Sequence, residues 1–231
     1  MNEVLRQERK FLITQEQFYI YSRDLAKIMI PDAHNRGDGY PIRSLYYDSL
    51  DDRDFEEKED GIELRRKIRL RNYGPDSSFA LLEMKQKEGA DQKKRSARLD
   101  KEDAKKLIAC DYSPLLFTGD DFGAECYTMM NLHCYRPKAI VEYKRMAFIA
   151  KENKIRVTFD HHIVGSESNF DIFDHELQQF PLLDPYLVVL EVKYNGFLLS
   201  YIKDMLAKCD SSEISVGKYA LSRTISKHFN F

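Results

Sequence analysis

The chain has 231 residues, 43% of them hydrophobic, enough for a real core in one large domain or two small ones. Its 36 Lys and Arg against 38 Asp and Glu leave a formal net charge of −2, without the basic excess usual in a general nucleic-acid binder, so its cations act through placement and not through number. Four cysteines with no C-x-x-C pair and no metal-ligand spacing to histidine point away from zinc and redox chemistry, and no apolar run approaches the ~18 residues of a membrane span.

From Leu5 to Ile13, Arg6, Glu8 and Lys10 share one parity while Phe11 and Ile13 take the other, which predicts a strand with one polar face. Thr14-Gln15-Glu16-Gln17 resembles a capping box. Phe18, Tyr21, Leu25 and Ile28 then recur at helical spacing until Pro31, predicting a helix near residues 15 to 29. Ile42 to Asp48, rich in aromatic and β-branched residues, reads as a strand, and Asp52 to Glu59 as a short helical turn that Gly61 breaks. Glu63 to Tyr73 sets Arg65, Lys67, Arg69 and Arg71 at strict two-residue spacing, with Leu64, Ile68 and Leu70 between them. Gly74-Pro75-Asp76 turns this strand into Phe79 to Lys87, where Glu83, Lys85 and Lys87 fall on one side, so the two basic faces are expected to be hairpin neighbours.

A second turn, Gly89 to Gln92, leads to Lys93-Lys94-Arg95-Ser96-Ala97-Arg98. Lys101 to Ala109 and Ala124 to Leu132 read as helices, Pro137 to Ala150 and Lys154 to Asp160 as long strands, and Gly165 to Asp184 as an irregular acidic insertion. In the second of those strands Ile155, Val157 and Phe159 oppose Arg156, Thr158 and Asp160. Leu187 to Tyr194 is the last strand, with Glu191 and Lys193 on one parity; Leu198 to Lys208 and Lys218 to Phe229 are closing helices.

Five strand-like segments thus share one design, a core-forming face and a face of cations with an occasional carboxylate. Holding a row of like charges inside a protein costs several kcal/mol for each unpaired ion, so the pattern points to a polyanionic ligand. The expected fold is α+β: one domain over residues 1–231, a closed antiparallel β-barrel of about eight strands forming a charged tunnel, flanked by helices.

Arg6-x-Glu8-x-Lys10-Phe11, Ser44-Leu45-Tyr46-Tyr47-Asp48, Gly61-x-x-x-Arg65-x-Lys67-x-Arg69-x-Arg71-x-Tyr73-Gly74, Leu82-Glu83-Met84-Lys85, Tyr143-Lys144-Arg145, Arg156-Val157-Thr158-Phe159-Asp160, Leu190-Glu191-Val192-Lys193-Tyr194 and Lys218-Tyr219 together resemble the VTC domain. That is the polyphosphate-polymerase branch of the triphosphate tunnel metalloenzymes. The resemblance runs from about Leu5 to Tyr219. It implies a basic tunnel that binds triphosphate or polyphosphate with Mn²⁺ or Mg²⁺. Carried over position by position, it makes Lys10, Arg69, Arg71, Lys85, Arg145, Arg156 and Lys218 phosphate ligands, Tyr143 an added hydrogen-bonding partner and Glu191 the metal carboxylate. Lys193 shares the parity of Glu191, Arg65 and Lys67 belong to the basic row, and Lys94 is chosen over Lys93 and Arg95. Two departures stand out: Arg6 replaces the opening carboxylate of the broader superfamily, and Gly217 in Ser215-Val216-Gly217-Lys218 stands where the family often has serine.

The activity implied is transfer of the γ-phosphate of ATP to a growing polyphosphate chain, with Lys10, Arg69, Arg71, Lys85 and Arg145 at the reacting phosphates and no side-chain nucleophile. The alternatives are a metal-dependent tripolyphosphate or nucleoside-triphosphate phosphohydrolase and a polyphosphate-binding module without turnover. RNA is the weaker polyanion, since no aromatic-rich binding face or recognition motif accompanies the cations. His161-His162 is not read as a metal site because adjacent histidines on a strand point apart. Asp160 either orients a cation or caps a turn, Glu8 either binds metal or pairs with a cation, and Tyr46, Tyr47 and Phe55 are read as core. The N-terminus lacks a signal-peptide core, so a cytoplasmic protein is expected, with any export or regulation left to a separate membrane or regulatory partner.

Overall fold

The computed structural model describes residues 6–89, 91–209 and 217–228. The elements run β1 (Arg6–Thr14), α1 (Gln15–Leu25), β2 (Ile30–Pro31), β3 (Tyr40–Asp48), α2 (Arg53–Glu59), β4 (Leu64–Asn72), β5 (Phe79–Glu88) and β6 (Asp91–Asp100). They continue with α3 (Lys101–Ile108), α4 (Asp121–Leu132), β7 (Arg136–Ile149), β8 (Arg156–Ser166), β9 (Phe180–Pro181), β10 (Leu187–Asn195), α5 (Ser200–Ala207) and α6 (Lys218–His228). The chain divides into two compact units: Met1–Pro41, Tyr143–Val164 and Pro181–Val216 form the first, and Ile42–Glu142, Gly165–Phe180 and Gly217–Phe231 the second.

In the first unit β1 pairs with β10 along its whole length and β10 pairs with β8, both antiparallel. One face of these strands supplies Phe11, Ile13, Val157, Phe159, Val188, Leu190 and Val192 to a core closed by Phe18, Tyr21 and Leu25 of α1 and Ile202, Met205 and Leu206 of α5. The capping box at the start of α1 is present: the Thr14 hydroxyl accepts from the Gln17 N–H at 3.2 Å, and the Gln17 side chain accepts from the Thr14 N–H at 2.9 Å. The helix stops at Leu25, short of the expected residue 29, and the chain beyond it tightens into a turn of i→i−3 bonds, with the Lys27 N–H donating to the Asp24 carbonyl at 3.2 Å and the Ile28 N–H to the Leu25 carbonyl at 3.0 Å.

In the second unit β3, β4, β5 and β6 form an antiparallel meander. Its apolar face, with Leu45, Tyr47, Ile68, Leu70, Leu82, Met84, Ala97 and Leu99, packs on Ala104 and Leu107 of α3, Phe122, Cys126 and Met130 of α4, and Ile172 and Phe173 of the irregular segment. That segment is pinned by Arg43, whose guanidinium donates to the carbonyls of Ile172 at 3.2 Å and Asp174 at 2.5 Å and pairs with Glu142.

The hydrogen-bonded order is β1-β10-β8-β7-β3-β4-β5-β6, with the two-residue β2 on β7 and β9 on β8. This corrects the expected closed barrel of about eight strands: the sheet has ten strands and its order ends at β1 and β6, with no ladder joining them among the described residues. Alternation along a strand fixes which face is apolar but leaves closure open. Both end strands carry cations, Arg9 and Lys10 on one and Lys93, Lys94 and Arg95 on the other, and such charges keep an edge from pairing.

Candidate functional site

The register of the second unit gathers its cations on one face. Arg65 lies opposite Lys87, Lys67 opposite Lys85 and Arg69 opposite Glu83 in the β4–β5 ladder, while Lys85 and Glu83 lie opposite Lys94 and Ser96 in β5–β6. Lys67, Lys85 and Lys94 therefore stand abreast on three adjacent strands. Such a row is tolerable only beside counter-charge or water, and Glu83 is the carboxylate buried among these cations.

Glu83 is 3% exposed. Its carboxylate meets Arg69 at 2.7 Å, Arg71 at 2.7 Å and Lys94 at 2.7 Å. Burial favours its neutral form, but Arg69, Arg71 and Lys94 outweigh burial and lower its pKa to about 2. Sequence reasoning placed Glu83 on the face without giving it a role; its signal was its position in the same parity as Lys85, opposite the Arg69 row. Two buried polar atoms close by, Arg71 Nε and Ser44 Oγ, have no hydrogen-bond partner, and Ser44 is the register partner of Arg71. Arg95 turns to the other face, where it pairs with Glu125 of α4 and donates to Gln86 at 2.8 Å. Lys94 is thus the residue of its basic triplet that reaches Glu83.

Lys218 opens α6. The next residue, Tyr219, stacks on Tyr46 of β3 with ring centroids 5.1 Å apart, and the Lys67 ammonium lies 5.3 Å from the centre of the Tyr46 ring and 5.7 Å from that of Tyr219. A side-chain carbon at Gly217 would lie 3.5 Å from Lys67 Nζ, an ordinary contact, so a serine would fit there. The expectations about Ser215 and Val216 lie outside the described residues.

The first unit carries its own charged face. In the ladders Glu8 lies opposite Lys193 and Lys10 opposite Glu191, while Glu191 lies opposite Thr158 and Lys193 opposite Arg156. Glu191 accepts from Lys193 at 2.5 Å and lies 4.0 Å from Lys10, and Glu8 meets the same two lysines at 2.7 Å (Lys10) and 3.3 Å (Lys193). Burial works against the Glu191 charge, but Lys193 and Lys10 overcome both burial and the nearby Glu8, and its pKa is lowered. Arg145 makes a two-point pair with fully buried Asp160, at 2.6 and 2.7 Å, and lies 5.3 Å from the centre of the buried Tyr143 ring. Asp160 therefore orients a cation. Arg156 donates to Asp32 at 3.0 Å and to the Tyr40 hydroxyl at 3.2 Å, and its buried Nε has no partner.

The histidine pair differs from expectation. His162 has φ +50°, a left-handed backbone that breaks the alternation of β8 and swings its ring beside that of His161, with the two Nδ1 atoms 2.6 Å apart. His161 Nε2 donates to the Asp38 carbonyl at 2.8 Å, and burial foremost lowers the His161 pKa. Among the described residues no group of three or more His, Cys, Asp or Glu is placed to hold a metal ion. A hollow of about 730 Å³ in the second unit is lined by Asp51, Glu56, Glu57 and Asp60, against which Arg53 is the one Lys or Arg among the described residues, and by exposed Leu50 and Leu132; its excess of acid disfavours phosphate. No helix among the described residues is long and apolar enough to cross a membrane.

Among solved structures, the chain is similar to a proposed adenylate cyclase from Bacillus halodurans, at 14% identity and a TM-score of 0.55, covering 99% of this chain and 100% of that one. It is also similar to a proposed adenylate cyclase from Vibrio parahaemolyticus, at 12% identity and a TM-score of 0.52, covering 94% and 97%. At such identities the likeness concerns fold alone. No curated protein matches the chain. The family model for the VTC domain matches residues 5–226, nearly the whole chain, and this protein belongs to the VTC domain family.

Proposed function

We propose that this protein is a polyphosphate polymerase that transfers the γ-phosphate of ATP to the end of a growing inorganic polyphosphate chain. Family membership relates the chain to polyphosphate and triphosphate chemistry. The observation that carries the reading is the face on which Arg65, Lys67, Arg69 and Arg71 of β4 lie beside Lys85 and Lys94 with Glu83 as counter-ion. Phosphoryl transfer asks a protein for charge neutralisation and alignment more than for a nucleophile. Arginine forks suit the oxygens of a fixed phosphate, and lysines follow a moving chain.

In the second unit Arg69, Arg71 and Lys85 act on the reacting phosphates while Arg65, Lys67, Lys94 and Lys218 hold the chain. In the first unit Lys10 and Arg145 take the reacting role, with Tyr143, Arg156 and Lys193 as further phosphate ligands. Partnerless Arg71 Nε and Arg156 Nε are donors to which a phosphate oxygen would restore a bond. Glu191 is ionised and shares two lysines with Glu8, a donor set that fits Mn²⁺ or Mg²⁺, which are commonly held by one or two carboxylates together with substrate phosphates. When bound, the ion supplies further neutralisation of phosphate charge. Lys10 and Lys193 pair with both carboxylates.

Incubation of the purified protein with ATP and Mn²⁺ tests the reading. ADP release together with long phosphate chains on a gel is the expected result. Orthophosphate without chains identifies a hydrolase, and retention of tripolyphosphate without turnover identifies a binding module; either outcome ends the polymerase assignment.

A further inference from the structure

Two motifs are not used by the reading above: the Tyr46-Tyr47-Asp48 end of β3 and Tyr219 beside Lys218. The structure joins them. Asp48 is fully buried, and its carboxylate accepts four hydrogen bonds: from the N–H of Ser49 at 2.8 Å, of Asp54 at 2.8 Å and of Phe55 at 2.9 Å, and from the Tyr219 hydroxyl at 2.8 Å. Two of those N–H groups belong to the first turn of α2, whose own cap residue Asp52 makes no side-chain cap bond, so Asp48 stands in as the cap. The Tyr219 ring is then fixed on three sides, by this hydroxyl bond, by stacking on Tyr46 at 26° between planes, and by the edge-on ring of Phe55 with centroids 6.1 Å apart. Lys67 rests its ammonium against the Tyr46 and Tyr219 rings.

We propose that Tyr219, anchored by Asp48, is a positioning residue that seats the Lys67 ammonium on the cationic face and thereby sets it for phosphate. This rests on the phosphate-binding reading of that face. A lysine on a flexible four-carbon stem surrenders many rotamers when it grips an anion, and an ammonium already held over two rings has surrendered most of them beforehand. The tyrosine thus acts through Lys67 and touches no phosphate itself.

The test is a double-mutant cycle read by calorimetry with tripolyphosphate, without turnover, on wild type, Tyr219→Leu, Lys67→Met and the double variant. Tyr219→Leu is expected to weaken binding about fivefold when Lys67 is present and by less than about twofold when it is absent. Costs that simply add, or an unchanged affinity in Tyr219→Leu, overturn the proposal. Tyr219→Phe, which keeps the ring and loses the anchor, serves if the leucine variant does not fold; it is expected to show the same dependence on Lys67 at smaller amplitude, and an additive cost overturns the proposal there too. A second readout is the ¹³C signal of reductively methylated Lys67, expected to lie upfield from ring currents and to relax toward the other lysines in Tyr219→Leu. A wild-type chain that binds no tripolyphosphate ends the phosphate reading and the role proposed for Lys67 within it. The methyl signal distinguishes that case, since it still reports the seat, and a Lys67 signal already at the position of the other lysines in wild type removes the seat itself.

Discussion

Glu83→Gln removes the counter-charge from three cations and nothing from the shape of the site. In the folded protein the Glu83 carboxyl is lowered from 4.5 to about 2, with Arg69 and Arg71 prevailing over burial. At about 1.4 kcal/mol per tenfold this amounts to ~3 kcal/mol of folding free energy, and losing one partner from a buried ion cluster costs about 3–5 kcal/mol by a separate route. Because the folded carboxyl is the more acidic one, its contribution is full above pH 4.5 and vanishes as pH falls toward 2. Urea unfolding should therefore find the variant ~3 kcal/mol less stable than wild type at pH 7, with the gap closing between pH 4.5 and 2. Tripolyphosphate should raise the midpoint of the variant more than that of wild type, since the anion replaces the missing carboxylate. A gap under ~1 kcal/mol at pH 7, or one that stays constant down to pH 2, would refute the account of Glu83 as the charge that makes this face stable.

Asp54 titrates in the opposite sense. Burial first, and the charge of Asp48 second, raise it to about 7. Between its ordinary 3.8 and that value the folded chain holds a proton that the unfolded chain releases, so stability falls as pH rises through this window. Asp54→Asn should flatten the slope in thermal melts and leave the variant the more stable protein at pH 8. In the first unit, Asp160→Asn leaves the Arg145 guanidinium without its two-point partner and should cost about 3–5 kcal/mol in urea titrations, part of which a second change, Arg145→Met, restores. Lys85, on an exposed position, should behave differently: Lys85→Ala should move stability by less than ~0.5 kcal/mol while lowering tripolyphosphate affinity and making it less sensitive to salt.

The elements were largely legible because local rules govern them. Two-residue alternation located β4, β5 and β10, the capping box located the start of α1, and the Gly74-Pro75-Asp76 turn put the two basic rows in one hairpin. The family pattern named the cations. What the sequence left open was how they are compensated. Glu83, Asp160 and Glu191 look alike in sequence, each a carboxylate that shares one parity of its strand with a cation: Lys85, Arg156 and Lys193. The tertiary fold makes the first a hub for Arg69, Arg71 and Lys94, the second the clamp of Arg145, and the third one of two carboxylates sharing a pair of lysines. The histidines show the same limit, because a single left-handed residue at 162 undoes the alternation on which their separation was argued.

Alternating side chains and turn residues set which strands exist and which of their faces is charged, because these follow from contacts a few residues long. Whether the first and last strands meet, which carboxylate answers which cation, and how Tyr219 reaches Asp48 across 171 residues are settled by tertiary structure. Those outcomes depend on pairing energies between distant segments, and no local pattern encodes them.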